Sequence, residues 1–302
     1  MTQLGATIPF YRRLASPLHA ARASVAAAWA LALLVATLVC DSPLVLVALL
    51  FGVLGAAVGA RVPRPLMRAL RGAAIVCLPI VAVNVLVSRG GLTVFARLGD
   101  LGPFGQGDLT VEALAYGGLI ALKLTLVILI VALASLAVDP DELLRAFRRL
   151  SFRSALTASI AMRMLPLLAA DAQRLAEAQR TRPDAPAGRA RGRLAILAAV
   201  VGGSLDRAMD VAATLEVRGF ACPTSSPRGP RVRRAASRHD IAFAASAVVI
   251  AALAIAGRVA GRASFTAYPT IHMPLAALTL LLAAALVAAM LLPFAARRGI
   301  EP

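Results

Sequence analysis

The chain has 302 residues, of which 60% are hydrophobic and only 16% charged, with a mean hydropathy of +0.80 and a formal net charge of +17. Soluble domains carry about 45–50% apolar and about 25% charged residues, so the composition excludes a soluble globular protein and indicates an integral membrane protein. The positive charge does not call for nucleic acid, because an uneven distribution of arginine across a membrane accounts for it.

Before the first apolar run stand Arg12, Arg13 and Arg22, and no small-residue cleavage site follows that run, so no cleavable signal peptide is expected. Apolar runs then occupy about 24–39, 44–60, 72–88, 111–138, 241–257 and 274–293. Five of them approach or meet the roughly 17–25 residues needed to cross a hydrocarbon core of about 30 Å, and the 111–138 run is longer than a span requires. Asp41-Ser42-Pro43 splits the first two into a tight hairpin. With six spans and both termini inside, 27 of the 32 basic residues fall on the inner side, including Arg61, Arg64, Arg68 and Arg71 in a short acid-free loop. That asymmetry is the positive-inside pattern. Residues 88–110 are glycine-rich and predict an external loop of turns. The cysteines, Cys40, Cys77 and Cys222, are isolated and suggest neither a disulfide framework nor a zinc site.

Residues 139–240 form the most informative block. Asp139-Pro140-Asp141-Glu142-Leu143 combines a capping residue, a proline suited to the first helical position and an acid three residues after the cap. A short basic amphipathic helix should follow, with Leu143, Leu144, Phe147 and Leu150 opposite Arg145, Arg148 and Arg149. A second helix is predicted from about 155 to Arg182, with Met164, Leu168, Ala172, Leu175 and Gln179 in helical spacing. Pro183 disfavours helix in the residue before it. After a polar linker, a third helix should run from Arg193 to Arg218, where Gly219 is a suitable stop. Its stripe, Leu194, Leu197, Val201, Leu205, Ala208, Ala212 and Leu215, is too short in its fully apolar part to span, and suits burial at a membrane edge or against a partner. Two long amphipathic helices thus each end in an arginine followed by a breaker. An arginine at a helix C-terminus is ordinary. The paired arrangement suits docking of each end into a groove where guanidinium meets carboxylate.

Taken together, these features resemble the transmembrane (T) component of energy-coupling factor (ECF) transporters, the family that includes the cobalt and biotin T proteins. The resemblance is carried by Ser16-Pro17-Leu18-His19, Asp41-Ser42-Pro43, Leu109-Thr110-Val111-Glu112-Ala113-Leu114, Asp139-Pro140-Asp141-Glu142-Leu143 and Arg163-Met164-Leu165-Pro166. Most specific are the two arginine motifs, Ala178-Gln179-Arg180-Thr181-Arg182 and Ala213-Thr214-Leu215-Glu216-Val217-Arg218-Gly219-Phe220. The family's first motif usually ends Arg-Gly or Arg-Ser, whereas Pro183 follows Arg182 here.

The resemblance implies an all-α polytopic membrane protein. A membrane region at 1–138 would hold about four transmembrane helices, 139–240 would carry the coupling helices, and 241–302 would add about two more spans. It implies a non-catalytic subunit of a vitamin or transition-metal importer in a bacterial plasma membrane. Two cytoplasmic ABC-type ATPases, which bind the ATP and Mg, would be engaged through Arg182 and Arg218 with Gln179, Thr181, Pro183, Glu216, Val217 and Gly219. A substrate-binding membrane (S) subunit would rest on Leu168, Leu194, Leu197, Val201 and Leu205, and this chain itself would bind no cofactor and no metal.

Three rival readings remain from the residues, one of them a purely structural or lipid-binding scaffold, which would predict no ATPase association. A secondary transporter or channel would need polar groups along a pathway, and the spans offer Lys123, Asn84 and a few hydroxyls. Lys123 must find a partner or snorkel, a structural role. A membrane-embedded enzyme is weaker still: His19, His239 and His272 lie in no metal-ligand spacing, and no phosphate-binding glycine loop occurs.

Overall fold

The computed structural model describes residues 14–87, 94–100, 106–147, 152–181, 189–219, 237–264 and 277–295. The chain divides into two compact units, Met1–Leu143 with Ala236–Pro302, and Leu144–Ala235.

In the first unit, helix α1 (Pro17–Ala20) is capped by Ser16 and leads into α2 (Ala23–Val39) and α3 (Pro43–Gly59). Pro43 opens α3 at a position where a missing N–H costs nothing. Helix α4 (Pro63–Val87) begins earlier than the apolar run at 72–88. Of the arginines expected in a loop, Arg61 stays in the turn before it, while Arg64, Arg68 and Arg71 lie in its first turns, because Pro63 supplies a start and no residue up to Pro79 breaks it. The glycine-rich 88–110 segment is not only turns: β1 (Val94–Asp100) and β2 (Gln106–Thr110) pair antiparallel, with register shifts on either side of Ala96 and Arg97. Helix α5 (Val111–Ala137) follows directly, its N-cap Thr110 accepting a hydrogen bond from the Ala113 N–H. Helices α9 (Arg238–Val259) and α10 (Ala277–Ala295) complete the unit.

Four of these helices, in α4, α5, α9 and α10, are long and apolar enough to cross a membrane, and α2 and α3 are apolar helices of 17 residues. At 1.5 Å per residue the latter two reach about 25 Å, near the lower limit for a span. The protein is a multi-pass membrane protein with an all-helical membrane region.

Close approach of small residues holds the helices together, as bilayer packing requires where lipid is as apolar as leucine. On α3, a Cβ at Gly52, Gly55 or Gly59 would come within 2.7, 3.0 and 2.6 Å of Met290, Leu291 and Phe294 of α10. Trp29, Phe243 and Phe294 meet edge to face, with centroids 5.2–5.9 Å apart. The Trp29 indole N–H donates to the Ser246 hydroxyl at 3.1 Å, and that hydroxyl donates to the Ala289 carbonyl at 2.6 Å. One polar chain therefore ties α2, α9 and α10 while leaving its buried members satisfied.

Two carboxylates act as hubs. Asp240 completes a capping box with Ser237 at the start of α9, and also accepts from the Arg22 backbone N–H at 2.7 Å, fixing the start of α2. Asp41, in the turn between α2 and α3, meets Lys123 Nζ at 2.5 Å with one oxygen and Arg258 at 2.6 Å with the other. The Asp41 and Ser42 N–H groups both donate to the Ala263 carbonyl, at 2.7 and 3.0 Å. Lys123 thus has its partner, as a lysine within an apolar helix requires.

His19 makes a third tie. Its Nδ1 lies 2.6 Å from the Ser16 hydroxyl and its Nε2 lies 3.3 Å from the Leu136 carbonyl at the end of α5. The carbonyl can only accept, so Nε2 carries the proton and Ser16 donates to Nδ1. Burial holds the His19 pKa below its usual 6.5, against the carbonyl bond, which raises it.

Candidate functional site

The second unit is built on two long helices, α7 (Phe152–Thr181) and α8 (Arg189–Val217); α6 (Pro140–Phe147) precedes them. Asp139 accepts a hydrogen bond from the Asp141 N–H at 2.9 Å, so the acidic motif opens α6. Pro166 lies inside α7 without ending it.

Two contacts set the direction of the pair. Asp171 of α7 is bridged by Arg207 of α8, with Arg174 at 3.7 Å on its other oxygen. Gln179 of α7 sits 3.5 Å from where a Cβ at Gly192 of α8 would lie. Later residues of α7 meet earlier residues of α8, so the helices run antiparallel. Asp171 and Arg207 each precede the last residue of their helix, Thr181 and Val217, by ten positions. That is an arm of about 15 Å on either side of the contact, so the two C-terminal ends lie about 30 Å apart. The contact is also placed symmetrically in the sequence, eleven residues before Arg182 and eleven before Arg218.

At the α8 end, the Arg218 N–H still bonds to the Thr214 carbonyl at 3.2 Å, and Gly219 turns left-handed at φ 75° with its N–H on Glu216. Glycine enters that region without the cost a Cβ imposes. Val217 is 89% exposed, Glu216 and Arg218 are exposed, and the Arg218 guanidinium has no partner among the described residues. At the α7 end, Thr181 is exposed and its hydroxyl donates to the Ala178 carbonyl at 2.9 Å. Gln179 is half-buried against α8 rather than presented at the tip. Arg182 and Pro183 lie outside the described residues.

The apolar stripe is where the helical spacing puts it. Leu194, Leu197, Val201 and Leu205 are all more than half exposed, and Leu168 is half-buried. At 100° per residue, Gly192 and Arg207 fall on the side of α8 opposite that stripe. Arg207 and Gly192 face α7, so the stripe faces away from it. Met209 on α8, and Met162 and Leu167 on α7, are further exposed apolar residues outside the sequence motifs, and Leu165 of the Arg163-Met164-Leu165-Pro166 motif is exposed as well. Among them, Met209 follows Leu205 by four residues, a spacing that could have added it. The Asp171–Arg207 pair left no local signal, since its members are 36 residues apart.

Among the described residues, no group of three or more His, Cys, Asp or Glu side chains could hold a metal ion. The family model described as "Cobalt transport protein" (CbiQ) matches residues 15–227, a stretch that takes in α1 to α8 and stops before α9. No curated protein matches the chain.

Proposed function

The chain belongs to the CbiQ cobalt transport protein family, the T components of ECF transporters, and from that premise we propose that it couples two cytoplasmic ABC-type ATPases to a substrate-binding membrane subunit. The observation that carries this reading is the geometry of α7 and α8. Two exposed helix ends face opposite ways about 30 Å apart, and the one described to its tip carries an exposed arginine, unpaired among the described residues, just before a left-handed glycine.

Each end enters a groove on one ATPase, where an arginine is suited to bidentate pairing with a carboxylate. Arg218 serves one groove and Arg182 the other. Because the Asp171–Arg207 contact lies ten residues before the end of each helix, closure of the two ATPases acts on arms of equal length. The apolar stripe of Leu194, Leu197, Val201 and Leu205 holds the substrate-binding subunit, so that movement of α7 and α8 reorients it in the membrane. ATP and Mg belong to the ATPases. The vitamin or metal ion, cobalt by family, is cargo carried on the substrate-binding subunit.

A secondary transporter working through its own helices has less support, because Lys123, the lysine within its spans, is engaged by Asp41.

The test is affinity purification in mild detergent of the normal chain beside the Arg182→Glu, Arg218→Glu variant. Recovery of ABC-type ATPases and a small membrane protein with the normal chain, and loss of the ATPases alone with the variant, is the expected result. Well-folded protein recovered without partners in both cases would overturn the coupling reading.

A further inference from the structure

Helix α4 carries two kinds of surface on one face. At 100° per residue, Arg64, Arg68, Arg71, Ile75, Leu78 and Ala82 fall within about 40° of a single line along the helix. All six are exposed, Ile75 and Leu78 by more than 70%. None of the three arginines has an ion pair or side-chain hydrogen bond among the described residues. The neighbouring sequence supplies no counter-charge either, for no Asp or Glu occurs between Asp41 and Asp100. Like charges three and four residues apart on a helix repel one another. An anion from outside the chain would relieve that repulsion.

We propose that this face binds an anionic phospholipid, with its phosphate held by Arg64, Arg68 and Arg71 and its acyl chains lying along Ile75, Leu78 and Ala82. The dimensions favour a lipid. From Arg71 to Ala82 the helix rises about 16 Å, close to half of a hydrocarbon core of about 30 Å, which is one leaflet. The guanidinium fork matches the two free oxygens of a phosphodiester. A free phosphate would meet the arginines and leave the apolar half of the face uncovered. An acidic soluble surface could not follow the face into hydrocarbon.

The experiment uses the full chain, stripped of lipid in a non-ionic detergent. Its thermal unfolding is followed as phosphatidylglycerol, phosphatidylcholine or glycerol phosphate is added, with bound lipid counted by native mass spectrometry. Phosphatidylglycerol should raise the unfolding temperature at concentrations where the other two have no effect. Each arginine near a membrane surface adds about fivefold to the attraction, so R64Q/R68Q/R71Q should need about a hundredfold more phosphatidylglycerol for the same shift. The corresponding triple lysine variant should keep most of the response. Should the triple glutamine variant not fold, R68Q alone is expected to show about a fivefold loss.

An equal response of variant and normal chain would overturn the proposal, as would an equal effect of phosphatidylcholine. A shift produced by glycerol phosphate alone would make the site one for a free anion and overturn it too. So would a glutamine variant that lost a protein partner while its lipid response stayed unchanged.

Discussion

The membrane helices and the α7–α8 pair are both rich in leucine and alanine, yet they use them in opposite ways. In the first unit Leu33, Leu46, Leu126 and Leu286 are fully buried, and glycines bring helix backbones close enough to exclude lipid. In α7 and α8 not one described residue is buried. A helix pair with this much apolar side chain uncovered has not completed a core of its own. The first region satisfies its packing internally, whereas the second presents its packing to something else.

The sharpest way to break this contrast is to make one chemical change in both places. Leu33→Ala should lower the stability of the purified protein by about 2–5 kcal/mol, since it opens a cavity in a closed core. Leu197→Ala, at a site 59% exposed, should change it by less than about 0.5 kcal/mol. Its effect should instead be read as lost association with the substrate-binding subunit. Equal destabilisation by the two changes, measured by thermal unfolding in detergent, would remove the distinction.

Overpacking offers a second probe. Gly59→Leu places side-chain atoms where Phe294 already lies, 2.6 Å from the new Cβ. About 1–3 kcal/mol should be lost. Gly203→Leu on α8, where a Cβ would meet nothing within 4 Å, should be tolerated by the isolated protein.

A charge reversal tests the α7–α8 contact. Asp171→Arg should loosen the pair by about 1 kcal/mol, because the bridge is partly exposed and solvent-screened. Adding Arg207→Asp should restore what was lost, and cross-linking between cysteines placed at positions 178 and 193 would report both steps. Failure of the double variant to recover would mean that the contact does not hold the helices in register.

The smallest effect is a pH dependence confined to the membrane unit. His19 has a depressed pKa when folded, so the unfolded chain binds its proton first. The His19 contribution is complete above about pH 6.5 and declines as pH falls through the folded pKa. His19→Gln should flatten the stability profile below pH 6.5, and an unchanged slope would assign it to other groups.

Much of this architecture was legible in the residues. The Asp41-Ser42-Pro43 break, the acidic opening of α6 and the stop at Gly219 are local signals, each acting through the backbone of the residue that carries it. The stripe on α8 was legible because helical periodicity alone places Leu194, Leu197, Val201 and Leu205 together. What could not be read was pairing at long range. Asp41 finds Lys123 and Arg258 82 and 217 residues away, and His19 finds the Leu136 carbonyl 117 residues on. The hairpin of β1 and β2 was hidden by its glycines, which signal turns whether or not the segments between them pair. The start of α4 is hidden because its arginines suit a loop by charge, although arginine is also a good helix former.

The position of Lys123 has a consequence for the surrounding bilayer. It lies twelve residues into α5, level with the turn that joins α2 and α3. The first part of α5 therefore rises about 18 Å beyond that turn, and it exposes Val111, Leu114 and Tyr116. A bilayer thick enough to cover those side chains would submerge Asp41, Lys123 and Arg258, and one that ended at the turn would leave α5 wet. Mismatch of this kind is relieved by tilt or by local thinning, at a modest cost per ångström. The lipid beside α2 and α3 is therefore expected to be thinner than the lipid beside α5.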